Sequence, residues 1–256
     1  MDLDASARIG GFFTLRTSPP PAPAPTPAPA PAPGAVPGLA APAAVPLARL
    51  YAGTADTALA TRVDRVAAGL RAPERRVAAS AAHLGLAARL WSVVLGPAAL
   101  SGRFPDLAPA TLHWDPTAGA PDELWWTGTG SRPATVEELR AAVLEAHLVP
   151  LHAAFARDGR ISPRLLWGNA GSALAGALRE LLRWSRAHGR PEAAERAVPL
   201  VRGLLAHPDL ERTVRGPALR RTTCCLYYRL PSGGLCGDCV FDHAPRTGLE
   251  RRPPAP

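Results

Sequence analysis

Apolar positions settle into helical spacing only beyond residue 46. Leu59, Val63, Val66 and Leu70 recur on one helical face, which predicts a helix from Thr57 to Leu70. Pro73-Glu74 opens a second helix, apolar from Val77 through Leu95, which Gly96-Pro97 should end. The period then shortens to two. Residues 110–114 and 123–127 read as short strands separated by the turn residues 115–119, a β-hairpin. In the second strand Trp125 and Trp126 should face opposite sides, one in the core and one free to meet a ligand or partner. Helical spacing resumes at Thr135, with Glu138 in capping-box position. That helix should reach Val149, Pro150 only kinking it, because apolar residues continue to Phe155. Ser162-Pro163 starts another helix that extends to Trp184. Pro191 to Leu205 reads as the last, although Pro199 sits inside it. Gly168, Ser172 and Gly176 make a smooth stripe that predicts close packing of another helix.

The chain before and after these elements is different. Twelve of the 30 prolines fall between Pro19 and Pro46, many alternating with Ala. Such a tract has no ladder to join and nothing to bury, so an extended, polyproline-like tail is expected. The domain division is therefore a disordered Pro/Ala-rich tail over 1–46, a helical domain over 47–215, a small cysteine-bearing module over 216–246 and a second tail over 247–256. The fold class expected is α+β, mostly helical, with a short β-hairpin and that C-terminal module.

Charge changes the picture little. The formal charge is +8 and every one of the 29 basic side chains is Arg. Together with heavy Ala and Pro usage, this reads as a GC-rich coding bias. The arginines are spread along the chain, without interleaved stacking aromatics or a basic recognition helix, so nucleic acid is not the expected partner. Residues 77–100 are apolar enough to suggest a membrane span, but His83 and Arg89 lie within them, so a core helix is expected and not a span. Met1-Asp2-Leu3-Asp4 is acidic where a secretory signal is basic. A cytoplasmic location follows as the expectation, where cysteines serve metal or redox chemistry before disulfides.

All four cysteines lie within sixteen residues: Cys224, Cys225, Cys236 and Cys239. Cys236-Gly237-Asp238-Cys239 can curl around one metal. The vicinal pair binds only if the backbone bends there, or if the ligand set spans more than one small ion. A [2Fe–2S] cluster asks for two thiolates on each of two irons, so Cys236 with Cys239 and Cys224 with Cys225 are the natural pairs. Gly233, Gly234 and Gly237 would let backbone N–H groups approach the sulfurs, and Arg220, Arg221 and Arg229 could offset the negative charge. Structural zinc, two disulfides and a thioredoxin-type dithiol are the alternatives that spacing leaves open.

The pattern Cys-Cys, ten residues, Cys-x-x-Cys, with Tyr227-Tyr228-Arg229-Leu230 after the pair, resembles the C-terminal signature of the FhuF-type ferric siderophore reductases. Residues 82–91 and 164–174 resemble that family too. The resemblance implies a [2Fe–2S] cofactor on the four cysteines. It implies a cytoplasmic iron–sulfur oxidoreductase that gives one electron to Fe(III) in a ferric siderophore and releases Fe(II). The chain carries no G-x-G-x-x-G with a following helix and acidic residue, so the electron is expected from a protein donor such as a ferredoxin or flavodoxin. Trp167, Asn169 and Arg229 are the candidates for contacting the substrate, Asn169 because an Asn inside a helix suggests that its amide is used. His147 and His152 read as hydrogen-bonded packing residues. The other readings are a non-catalytic siderophore- or partner-binding protein and an iron–sulfur sensor, with the metal site structural or regulatory.

Overall fold

The structure, a computed structural model, describes residues 2–17, 44–54, 56–158 and 161–245. The Pro-Ala tract over 18–43 and the tail from 246 lie outside the described residues, and with them the expectation of disorder there. Helix α1 (Leu3–Ala7) and a 3₁₀ turn (Gly11–Phe13) come first. Strand β1 (Val45–Pro46) and α2 (Leu47–Tyr51) lead into α3 (Asp56–Leu70) and α4 (Arg75–Ser101). Four short strands follow, β2 (Arg103–Pro105), β3 (Leu112–Trp114), β4 (Leu124–Trp126) and β5 (Ser131–Pro133). Then come α5 (Val136–Leu139), a π-helical stretch (Arg140–Leu148), α6 (Val149–Asp158), α7 (Pro163–Ala187) and α8 (Pro191–Leu205). The C-terminal residues add β6 (Val214–Arg215), β7 (Arg220–Arg221) and a 3₁₀ turn (Tyr227–Arg229).

Helix α4 is the axis of the fold. It packs against α3, α7, α8, β2 and the N-terminal segment. Leu90, Trp91, Val93 and Val94 are fully buried, and the Trp91 indole donates to the Ala170 carbonyl of α7 at 3.1 Å. By length and hydropathy α4 could cross a membrane, but 72% of that window is buried inside the protein. It also runs on through Gly96-Pro97, where the sequence suggested a stop. The missing Cβ of Gly96 leaves room for the N-terminal segment, since a Cβ there would come within 2.9 Å of Phe13. Burial of the turns on both sides outweighs the hydrogen bond that Pro97 cannot make. The helix ends instead at Gly102, in the left-handed region at φ +69°, with its N–H on the Ala98 carbonyl.

The N-terminal residues are the larger departure from expectation. Residues 2–17, assigned to a tail, lie on α4 and β4, with Phe13 and Leu15 buried. The cause is Arg89, in the middle of α4. Its guanidinium pairs with Glu123 at 2.7 Å and donates to the carbonyls of Gly11, Phe12, Thr14 and Pro121. A buried ion pair needs such additional partners to offset its lost hydration, and the N-terminal backbone supplies them. The same segment covers the second face of β4, so Trp125 and Trp126 are both buried, where one ring was expected to be free. Arg16 bridges to Trp125 and stacks on its ring, 5.3 Å from the centroid.

The hairpin forms as read, with Leu112 opposite Trp126 and Trp114 opposite Leu124. Val45 joins the other edge of β3 and makes a third strand. Thr135 caps α5 by accepting from the Glu138 amide at 3.2 Å. The π-helical turns between α5 and α6 lead up to Pro150, a proline that cannot donate to an ordinary α-helical ladder; widening the ladder is one way to pass it. Helices α7 and α8 begin at Pro163 and Pro191, each with proline in its first turn.

Candidate metal centre

The four cysteines arrive on a loop that follows β7. The Arg221 amide donates to the Asp238 carbonyl at 3.1 Å, which joins β7 to the Cys236–Cys239 turn. That turn closes through the Cys239 amide on the Cys236 carbonyl, also at 3.1 Å. After the vicinal pair the backbone bends at once. Leu226 adopts φ +69°, a left-handed conformation that a leucine takes only under constraint. The bend turns the Leu226 amide onto Cys224 Sγ at 3.2 Å, and the Tyr227 amide onto Cys225. Among the described residues these two amides meet cysteine sulfur, while the Gly233 amide donates to the Leu230 carbonyl at 2.9 Å. Gly233 serves a different need, because a Cβ on it would collide with the Tyr227 carbonyl.

All four thiols are free of disulfides. Cys225 and Cys239 are buried, Cys224 and Cys236 partly so. Contact with Cys236 draws Cys225 down, against burial and with help from Arg221 and the Tyr227 amide. Contact with Cys225 and burial push Cys236 up, and the Cys236 thiol donates to Asp238 Oδ1 at 3.8 Å. Cys224 is raised by burial, against the Leu226 amide. Among the described residues no three His, Cys, Asp or Glu side chains converge as they would on a single ion. A two-iron cluster makes no such demand, since each iron takes two thiolates.

The charge around the loop resolves into one residue. Arg220 donates to the Cys239 carbonyl at 2.7 and 3.0 Å and pairs with Asp242. Arg229 pairs with Glu74 at 2.6 Å and lies over Tyr228. Arg221 is fully buried, donates to Asn169 Oδ1 at 2.5 Å, and leaves Nε and Nη1 without a partner among the described residues. A buried cation with spare donors beside four thiols fits a tetrathiolate cluster, whose net charge is negative.

Helix α7 receives the module. A Cβ at Gly168 would run into the Thr223 hydroxyl, and one at Gly171 into the Thr213 hydroxyl. The Ser172 hydroxyl donates to Asp238 at 2.6 Å. The small-residue stripe therefore accepts threonines of the C-terminal segment, not the helix that sequence suggested. Gly171 was missed, although it lies one turn from Gly168 on the same face. Asn169 is fully buried. Its amide donates to the Ser80 carbonyl and hydroxyl at 3.0 and 3.1 Å, and the Ser80 hydroxyl donates to the Cys225 carbonyl at 2.8 Å. Nothing in the sequence around Ser80 marked it.

Of the three residues singled out for the substrate, Trp167 reaches an open cleft. The cleft has a volume of about 460 Å³, with Arg164, Asp209, Arg212, Thr222 and Thr223 on its walls. A second cleft of about 460 Å³ opens directly on Cys236 and Cys239, between Arg179, Arg220, Leu235 and Phe241. Behind Trp167 lie two buried histidines. His152 meets its ring edge-on at 4.3 Å, and His83 lies behind His152, ring to ring at 4.9 Å and tilted by 48°. Among the described residues neither has a hydrogen-bond partner, and burial lowers both, His152 to about 4. His147 differs: it bonds the Tyr51 hydroxyl at 2.8 Å and the Leu107 carbonyl at 2.5 Å.

Comparison with known proteins agrees with this geometry. Residues 99–225 match the family described as ferric iron reductase FhuF-like transporter, and residues 221–241 match the FhuF 2Fe-2S C-terminal domain, which takes in all four cysteines. The ferric siderophore reductase of Escherichia coli (strain K12) is 32% identical over 113 residues. That alignment covers 43% of this chain and 43% of the relative. With a helical body that matches one model and a cysteine loop that matches the other, the chain belongs to the FhuF family and carries that family's C-terminal [2Fe–2S] domain.

Proposed function

We propose that the chain is a cytoplasmic reductase that passes one electron to Fe(III) held by a siderophore, and that Cys224, Cys225, Cys236 and Cys239 ligate the [2Fe–2S] cluster. The observation that supports this best is the gathering of four free thiols beside a buried guanidinium that has no carboxylate partner among the described residues, within the segment matched by the 2Fe-2S domain. The Escherichia coli relative is named a ferric siderophore reductase, and that activity comes to this chain as part of the proposal. A [2Fe–2S] cluster supplies a one-electron step and needs no protein base or nucleophile. The balance is simple. A donor protein loses one electron, the siderophore's Fe(III) gains it, and the softer, less charged Fe(II) leaves the hard oxygen ligands.

The two clefts divide the work. We assign the ferric siderophore to the Trp167 cleft, where an aromatic face and the Arg164 and Arg212 guanidinium groups suit a complex with negative oxygens. The donor belongs at the second cleft, where the Cys236 and Cys239 turn meets an apolar rim of Leu235 and Phe241. An acidic ferredoxin or flavodoxin is steered there by a chain of net charge +8.

Anaerobic purification followed by visible and EPR spectroscopy tests the cofactor. Adding a ferric siderophore to the dithionite-reduced protein tests the reaction. A red-brown protein that the siderophore reoxidises is expected; a colourless protein, or one that no ferric siderophore reoxidises, sinks the reading. Trp167→Ala should raise KM at least tenfold and leave the spectrum intact. Donor-driven turnover should slow markedly at high salt, and a salt-independent rate would count against the acidic donor.

A further inference from the structure

Two arginines are fully buried among the described residues, and they are treated differently. Arg89 has Glu123 at 2.7 Å and four backbone carbonyls. Arg221 has no carboxylate among the described residues; its one hydrogen-bonded side-chain partner is a neutral amide, Asn169. An uncompensated buried cation is strongly destabilising. The site around Arg221 is therefore built for an anion.

The backbone around Arg221 shows where that anion belongs. The Arg221 backbone is tied to Asp238, inside the Cys236–Cys239 turn, and Cys224 follows three residues later. Two ferric ions, two sulfides and four thiolates sum to −2, and one electron makes this −3. Arg220 and Arg229 cannot serve equally, being spent on Asp242 and Glu74.

We infer that Arg221 is the cluster's internal counter-charge, that it raises the cluster's reduction potential, and that Asn169 is the positioning residue that aims it. The choice of Asn follows from this role. An amide oxygen holds the guanidinium without cancelling its charge, whereas a carboxylate would cancel it. The amide cannot turn over, because its nitrogen donates to both the carbonyl and the hydroxyl of Ser80. The Ser80 hydroxyl then reaches the Cys225 carbonyl, so one buried chain of hydrogen bonds runs from α7 and α4 to the cysteine loop. The inference rests on the cluster and is independent of which acceptor receives the electron.

The test is a redox titration of the purified holoprotein, with iron and sulfide counted per chain. Asn169→Asp places a carboxylate on Arg221 at nearly unchanged volume. It should lower the potential so that the reduced-to-oxidised ratio at a fixed potential falls about tenfold, ~59 mV for one electron. Arg221→Met should lose more than half its cluster iron on desalting, and Arg221→Lys should restore most of it at an intermediate potential. Arg229→Met should leave the potential where it was. A wild-type potential in Asn169→Asp, or a full cluster at unchanged potential in Arg221→Met, overturns the inference. Should Arg221→Met not fold, Asn169→Asp decides. An Asn169→Asp protein unfolded by far-UV circular dichroism would mean that the pair holds the fold and not the potential, and would overturn it as well.

Discussion

Helix α4 buries 19 of its 27 residues, while between His207 and Pro245 the buried apolar residues are Leu210, Cys225, Leu230 and Cys239. The helical body is held by dispersed apolar burial, which survives the loss of any one contact at moderate cost. The cysteine module has too little apolar area to fold on that basis. It is held by a few specific devices: threonines seated on glycines, the Ser172–Asp238 and Asn169–Arg221 bonds, and, when loaded, the [2Fe–2S] cluster of its domain. The two regions should therefore fail separately and for different reasons.

The sharpest break is Cys225→Ser. It should abolish the visible spectrum and iron content and make residues 206–245 readily cleaved by protease, with far-UV unfolding of the helices almost unchanged. A helical transition that collapses with the cluster would mean that the two regions are one cooperative unit. Leu90→Ala attacks the other side. It should cost the helical body about 3 kcal/mol in urea unfolding and leave the cluster spectrum intact below the transition.

Acid should distinguish the regions as well. Burial lowers His147 and His152 to about 4 from an ordinary 6.5, so both are neutral in the native body. Each contributes stability that is full above about pH 6.5 and lost as pH falls towards 4, at up to about 1.4 kcal/mol per pH unit and about 3 kcal/mol in total. Burial lowers His83 as well, so far-UV unfolding midpoints at pH 7, 5.5 and 4.5 should fall with all three rings, and His152→Phe should flatten that fall without abolishing it. A midpoint independent of pH would show that acid does not act on the body through these rings. The smallest effect is expected from Gly168→Ala. Its Cβ meets the Thr223 hydroxyl and should weaken docking of the module by about 1–3 kcal/mol, seen as faster iron loss to a chelator. Gly176→Ala, whose Cβ would meet only the tip of Arg179 at 3.7 Å, should change nothing.

The two regions were also unequally legible. Periodicity and capping signals located α3, α7, α8 and the hairpin because these depend on local residues. They failed at Gly96-Pro97 because the helix there is stabilised by Phe13, a contact far away in sequence. They failed again at residues 2–17, where the organising group is Arg89. The cysteine spacing announced the metal, yet Arg220, Arg221 and Arg229 looked equivalent. Burial and partner choice separate them, and neither is written in a local pattern. Asn169 stood out as an odd residue within a helix, but its partners Ser80 and Arg221 lie 89 and 52 positions away.

The small sheet has one more consequence. Arg16 lies beside β4 and Val45 beside β3, so the chain leaves one edge of a three-stranded sheet and returns at the other. Three inter-strand spacings separate these points, about 14 Å, and 26 residues lie between positions 17 and 44. At a reach of at most about 3.5 Å per residue, 26 residues could span about 90 Å, so the length of the connection does not force the two edge pairings together. What sets the width of the sheet is the pair of anchors, Arg16 against Trp125 and Val45 against Trp114, and each can form without reference to the other.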